Sequence, residues 1–128
     1  MSIVVIGAIF VDIKGFPINT FIPRGRNAGR IETVHGGVCR NVVEDIACLG
    51  QSPVFVSLVD DTAQGRDILD QLQKHRVDTT YIRSVPDGTG TWLAVFDEKG
   101  DVFASVSKRP DLSMLIRTLD EEGDRIFS

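Results

Sequence analysis

The stretch His35-Gly36-Gly37-Val38-Cys39-Arg40-Asn41-Val42-Val43-Glu44-Asp45-Ile46-Ala47-Cys48-Leu49-Gly50 constrains this chain more than any other part of it. From Val38 the apolar residues recur at Val42, Val43, Ile46, Ala47 and Leu49, the spacing of a helix. Gly50 stands where a helix-terminating glycine belongs. Ahead of the helix, Gly36 and Gly37 carry no Cβ, so a ligand can come close to the backbone there. The first helical N–H groups point out unpaired, with the positive end of the helix dipole behind them. Asn41 lies one turn above Gly37, and helical side chains lean toward the N-terminus. Its amide, with two donors and an acceptor, would hang over the glycine turn. Such a cradle suits a polar, hydroxyl-bearing small molecule. A Gly-Gly pair before a helix is also an ordinary turn, and an Asn in a first turn is often only solvated, so the residues alone leave both readings open. A phosphate P-loop is excluded, because no Gly-Lys-Ser/Thr follows the glycines, and the glycine spacing is wrong for a dinucleotide fingerprint.

Along the rest of the chain, Ser2–Ile6 is a short apolar, β-branched run and predicts a buried, parallel, central strand. Ala8–Val11 continues extended, and Asp12 comes at its end, where open α/β sheets bind ligands; a solvated turn Asp before Gly15 fits the local pattern equally well. Ile13–Ile22 and Arg30–Val34 read as short strands separated by Pro17, Pro23 and the loop Arg24–Gly29. Pro53–Val59 reads as a second buried strand. Asp61-x-x-Gln64 has the form of a capping box opening a helix over Thr62–His75, with Ile68, Leu69 and Leu72 on its apolar face and Asp60 or Asp61 as the cap. His75 near the helix end reads as a surface residue. Thr79–Arg83 reads as a strand and Pro86-Asp87-Gly88 as a turn. Thr91–Phe96 and Val102–Ser107 flank a glycine-containing loop and predict a hairpin, in which Trp92 and Phe103 could pair across it or face the ligand, with core packing the ordinary reading. Leu112–Leu119 reads as a helix, and Arg125–Ser128 as the start of another strand. The alternation of strands and helices implies βαβ units and a parallel sheet, an α/β class.

At 128 residues the chain is one domain's worth, long enough to bury a core. A formal net charge of -4 with no basic run argues against nucleic acid as a partner. The absence of a long apolar stretch or basic leader argues against a membrane or a signal peptide. Cys39 and Cys48 fall on one helix, too far apart to bridge, and read as reduced thiols of a cytoplasmic protein. Neither they nor any other group has metal-ligand spacing.

Gly36-Gly37-x-x-x-Asn41 followed by an amphipathic helix ending in Leu49-Gly50 resembles the substrate-side signature of the ribokinase-like, or PfkB, family of sugar and nucleoside kinases. The strand running into Gly7 and Asp12, the Val59–Gly65 strand-turn-helix and the Thr91–Lys108 hairpin extend the resemblance over essentially the whole chain. Asn27-Ala28-Gly29-Arg30 and Gly37–Glu44 look most like the pseudouridine kinase branch. The family usually has a small residue where Cys39 and Val43 stand and a glycine where Asp60 stands. The resemblance implies a Rossmann-like parallel sheet with a small β-sheet lid, formed by strands around 13–34 and 91–107. It implies a sugar or nucleoside held by Asp12, Gly36, Gly37 and Asn41, a homo-dimer through the lid strands, and phosphoryl transfer from ATP with Mg²⁺. The catalytic base and nucleotide pocket belong to a later half that has no counterpart here. The expectation is therefore the N-terminal, substrate-side half of such a kinase, inactive by itself and binding neither ATP nor Mg²⁺. The alternative is a non-catalytic nucleoside- or sugar-binding module from a truncated kinase gene.

Overall fold

The structure, a computed structural model, describes residues 3–128; Met1 and Ser2, where the first expected strand begins, lie outside the described residues. In chain order the elements are β1 (Val4–Ile6), β2 (Phe10–Pro17), β3 (Gly29–Gly36), α1 (Val38–Cys48), β4 (Val54–Val59), α2 (Ala63–Lys74), β5 (Ile82–Ser84), β6 (Gly90–Phe96), β7 (Val102–Lys108) and α3 (Ser113–Ile126).

Strands β1, β4 and β5 form a parallel sheet in the order β1-β4-β5. Residues Phe55–Val59 are all buried. Successive side chains of a strand point to opposite faces. Accordingly Phe55 and Val59 join Val43 of α1 and Ile68 and Leu72 of α2 in one core, while Val56 and Leu58 join Leu115 and Ile126 of α3 in another. The middle of this sheet is thus β4 and not the N-terminal strand, as the apolar run Ser2–Ile6 had suggested. Strand β4 is apolar or small on both faces, whereas Ile6 is left exposed. The one polar residue in β4, Ser57, is fully buried and donates its hydroxyl to the Gly7 carbonyl at 2.5 Å, which ties β4 to the end of β1.

The second sheet runs β3-β2-β6-β7, antiparallel at both outer pairs and parallel between β2 and β6. The expected Thr91–Phe96/Val102–Ser107 hairpin forms. The expected Ile13–Ile22 strand forms only in part: β2 begins earlier, at Phe10, and stops at Pro17, which has no N–H to offer a ladder. The following loop is organised by Asn27, whose Oδ1 accepts the Ile22 N–H at 2.8 Å and whose Nδ2 donates to the Ile22 carbonyl at 3.0 Å.

Two helix expectations need correction. Neither Asp60 nor Asp61 caps α2. The cap is Thr62, whose Oγ1 accepts the Gly65 N–H at 3.1 Å. Asp60 is engaged elsewhere: its N–H donates to Thr89 Oγ1 at 2.9 Å and its Oδ1 accepts the Thr89 N–H at 3.1 Å. Helix α3 runs to Ile126 through Asp120–Asp124, so Arg125–Ser128 starts no strand. The buried residues Leu115, Thr118 and Ile126 keep helical spacing across the polar stretch. On its outer side Glu121 accepts from Arg83 Nη2 and Arg117 Nε, each at 2.8 Å.

Thr62→Ala is expected to lower stability by about 0.5–2 kcal/mol, the usual cost of a lost cap, while Asp61→Ala stays within about 0.5 kcal/mol; urea melts of both variants check the assignment. The hydrogen bonds from Arg83 and then Arg117 hold the Glu121 carboxyl below its ordinary pKa. A carboxyl whose folded pKa lies below its unfolded one stabilises the fold above the ordinary carboxylate range, and this is lost as pH falls through the folded value. Arg83→Ala should therefore make stability fall less steeply with acid, as read from melting temperatures along a pH series.

Candidate functional site

Where β3 passes into α1, the chain turns at Gly37, with φ of +96°. A Cβ there would lie 3.0 Å from the Ala8 carbonyl and 3.2 Å from the Phe10 nitrogen. The turn is thus pressed against the segment by which the chain leaves the first sheet for the second. The Gly37 carbonyl accepts the Asn41 N–H at 3.0 Å, closing the first helical turn. The Asn41 side chain is exposed and has no hydrogen-bond partner among the described residues. Cys39 packs on Gly7, whose absent Cβ would stand only 2.1 Å from the sulfur. The glycine opposite thereby makes room for a residue larger than the family pattern expects.

Asp12 is not at the end of a strand, as its position in the sequence suggested. It lies inside β2, with Val34 of β3 and Trp92 of β6 as its lateral partners. Gly36 shares its face. A Cβ on Gly36 would lie 2.7 Å from Asp12 Oδ2, so only the missing side chain lets the carboxylate rest there. The structure therefore brings Asp12, Gly36, Gly37 and the first turn carrying Asn41 to one corner, between the edge of the second sheet and the N-terminus of α1.

This corner is open. The clefts of about 300 Å³ beside Phe16, Phe21 and Arg30 and of about 730 Å³ beside His35, Arg40 and Asp67 are lined by none of the four residues. The larger cleft is lined by the paired side chains Arg40 with Glu44 and His35 with Asp67, whereas the Asp12 carboxylate and the Asn41 amide have no side-chain partner among the described residues.

One packing expectation fails, and one feature escaped the sequence reading. Trp92 neither pairs with Phe103 nor enters a hydrophobic core: Phe103 packs on Phe21, the rings tilted at 49° with centroids 4.6 Å apart, and Trp92 sits half-buried beside Asp12. Their relation depends on the β2–β6 register, which no local pattern reveals. Arg40 is buried on the opposite side of β3 and pairs with Glu44, one turn on in α1. Its Nε lacks a partner among the described residues. Nearby His35 Nε2 lies 3.4 Å from Asp67 Oδ2 of α2. The Arg40–Glu44 spacing of four was the available signal. Among the described residues no group of three or more His, Cys, Asp or Glu side chains could hold a metal ion, and no helix is long and apolar enough to cross a membrane.

Gly37 and Gly50 both have positive φ, +96° and +86°, but a Cβ at Gly50 would meet nothing within 4 Å. Gly50→Ala should cost about 1–2 kcal/mol from conformation alone. Gly37→Ala should cost more, because it adds a collision with the Ala8 carbonyl. Denaturant melts that rank the two in reverse would contradict the role given to this turn.

Comparison with known proteins bears on what this corner belongs to. The sequence model for pfkB family carbohydrate kinases matches residues 1–124. Guanosine-inosine kinase of Exiguobacterium acetylicum is 39% identical over 115 residues, covering 89% of this chain and 38% of that protein. Pseudouridine kinase of Escherichia coli is 26% identical over 106 residues, covering 82% of this chain and 34% of that protein. The chain thus spans little more than a third of the length of these curated relatives. A Clostridium perfringens crystal structure described as a sugar kinase superposes with a TM-score of 0.86 at 25% identity, over 97% of this chain and 40% of that one. Arabidopsis thaliana ribokinase, solved with ribose and ATP, gives 0.71 at 23% identity, over 83% of this chain and 35% of that one, a likeness of fold. Two sheets joined through a glycine turn into α1, and a family match over nearly all residues, lead to one conclusion: the chain belongs to the PfkB family of carbohydrate kinases, with a ribokinase-like fold.

Proposed function

We propose that this chain forms the substrate-binding part of an ATP-dependent kinase that phosphorylates a hydroxyl of a nucleoside. The observation that carries the reading is the Asp12 carboxylate resting against Gly36, beside the Gly37 turn and the unpartnered Asn41 amide. An ionised Asp accepts hydrogen bonds only, Asn both donates and accepts, and bonds to a charged group are about twice as strong as neutral ones. Together they suit vicinal hydroxyls of a sugar ring. A nucleoside is favoured over a free sugar by the resemblance of Gly37–Glu44 to pseudouridine kinases and by the 39% identity to a guanosine-inosine kinase. The choice between a pseudouridine-like and a purine substrate rests on the base.

The second sheet, with strands around 13–34 and 91–107, is read as a lid over that substrate. Its face opposite Asp12 carries Ile31, Leu93 and Val106, exposed at 76%, 46% and 69%, which supports a homo-dimer formed lid to lid. The unpaired thiols Cys39 and Cys48 suit the cytoplasm. Phosphoryl transfer depends on positioning and on charge stabilisation at the transferred group. Positioning is the contribution read for this chain. ATP, Mg²⁺ and the residue that takes the hydroxyl proton are assigned, on the family resemblance, to the part of the relatives' length that this chain does not span.

Asp12→Ala and Asn41→Ala should each weaken nucleoside binding roughly tenfold to several hundredfold, since either change leaves desolvated partners unpaired, one of them charged. Thr62→Ala should leave binding unchanged while lowering the melting temperature. Calorimetric titration beside thermal melts separates these outcomes, and intact binding in Asp12→Ala would sink the reading. The 128-residue chain by itself should show no turnover of nucleoside with ATP. Loss of a proton-transfer group alone costs about 10²–10⁴-fold, so measurable phosphate transfer by the purified chain would overturn the division of labour.

A further inference from the structure

Trp92 is the lone tryptophan of the chain. It is the lateral partner of Asp12 on one side and of Ser107 on the other, so its side chain shares the Asp12 face of the second sheet. A large aromatic side chain usually finds its place in a core or an aromatic pair. The other rings of this sheet do so: Phe16 stacks on Phe96, and Phe21 packs on Phe103, both at 4.6 Å. Trp92 belongs to neither described core and to neither pair, and it remains half-buried. Its neighbour across, Ser107, is small and exposed, while Ala94 two residues on is buried and the space above Gly36 is taken by the Asp12 carboxylate. Phe10 is already committed, its ring lying over Gly90. An indole outside both cores and both ring pairs therefore stands next to the carboxylate read as the sugar anchor.

We infer that Trp92 is the wall on which the planar base of a nucleoside packs, and that it decides between nucleosides and free sugars; this rests on the reading of the Asp12 face as the sugar site. Asp12 and Asn41 address hydroxyl groups, which ribose and a ribonucleoside share. Discrimination must come from a surface that gains only when a base is attached. A flat indole does this, because a base–aromatic stack is worth about 1–3 kcal/mol and a sugar ring has no flat π-face to stack with. The indole N–H, a donor, is left for a carbonyl of the base.

The lone tryptophan also supplies the readout. The chain is titrated with inosine, pseudouridine and ribose while its Trp92 fluorescence is followed, and affinities are measured by calorimetry for the chain and for Trp92→Ala, Trp92→Phe and Asp12→Ala. The nucleosides should quench or shift the emission and ribose should not. Trp92→Ala should weaken nucleoside binding roughly five- to hundredfold, the size of one base stack, with ribose binding unchanged. Trp92→Phe should recover most of the loss. Unchanged nucleoside affinity in Trp92→Ala, or an equal loss for ribose, overturns the base wall. If Asp12→Ala abolishes binding of all three ligands in that case, the sugar site stands and only this inference fails. If Asp12→Ala binds normally, or if the chain binds none of the three, the site reading falls as well.

Discussion

Everything at the candidate site depends on one close approach of backbone to backbone. Gly37 sits at φ +96° with the Ala8 carbonyl and Phe10 nitrogen where its side chain would be. L-residues avoid this conformation because Cβ crowds the following carbonyl, and here a Cβ would also meet a second strand. The contact fixes the N-terminus of α1 against the crossing between the two sheets. With that contact set, Asn41 stands above the turn, Gly36 leaves space for the Asp12 carboxylate, and Cys39 falls into the gap that Gly7 leaves. Four residues without side chains at critical atoms, or with short ones, thus position the polar groups that matter.

The two sheets share one core, in which Val11 of β2 joins Phe55 and Val59 of β4, and polar bonds fix the ends of the strands. Ser57 binds the Gly7 carbonyl where β1 ends, and Asp60 and Thr89 exchange two hydrogen bonds where the chain returns from β5 toward β6. Thr89 is buried, so those bonds form away from water, where an unpaired group would be costly. The residue that departs from the family pattern at position 60 therefore has its own structural work. It anchors the entrance of β6, two residues before the row occupied by Asp12 and Trp92 comes into register.

The two sheets also divide apolar burial unequally. The central strand of the parallel sheet, β4, is covered on both faces and hides its side chains almost completely. The mixed sheet keeps Ile31, Leu93 and Val106 in solvent on one face and its polar and aromatic groups on the other. Antiparallel pairs tolerate one solvated face, while parallel strands rarely do. That difference explains why one layer reads in the sequence as continuous apolar runs and the other as alternation.

What the sequence by itself determined was local. The helical spacing from Val38 to Leu49, the glycines at its ends, the buried run of β4 and the Thr91–Lys108 hairpin were all legible, because each is dictated by periodicity and turn chemistry within a few residues. The α/β class followed from their order, and the family resemblance from the Gly36-Gly37-x-x-x-Asn41 motif and its flanking stretches. Tertiary structure decided the rest. Asp12 proved to be mid-strand because β3 and β6 pair with it from both sides, and β4 took the middle of its sheet because it can be buried on both faces. Thr62 displaced Asp61 as the cap because the Thr62 hydroxyl reaches the Gly65 N–H, and α3 ran past its acidic stretch because Ile126 has a core to enter. The neighbourhood of Asp12, Trp92 and Ser107 exists only through register between strands far apart in the chain. Register is set by the sum of many pairings and by which face finds a core, a quantity that no local window contains.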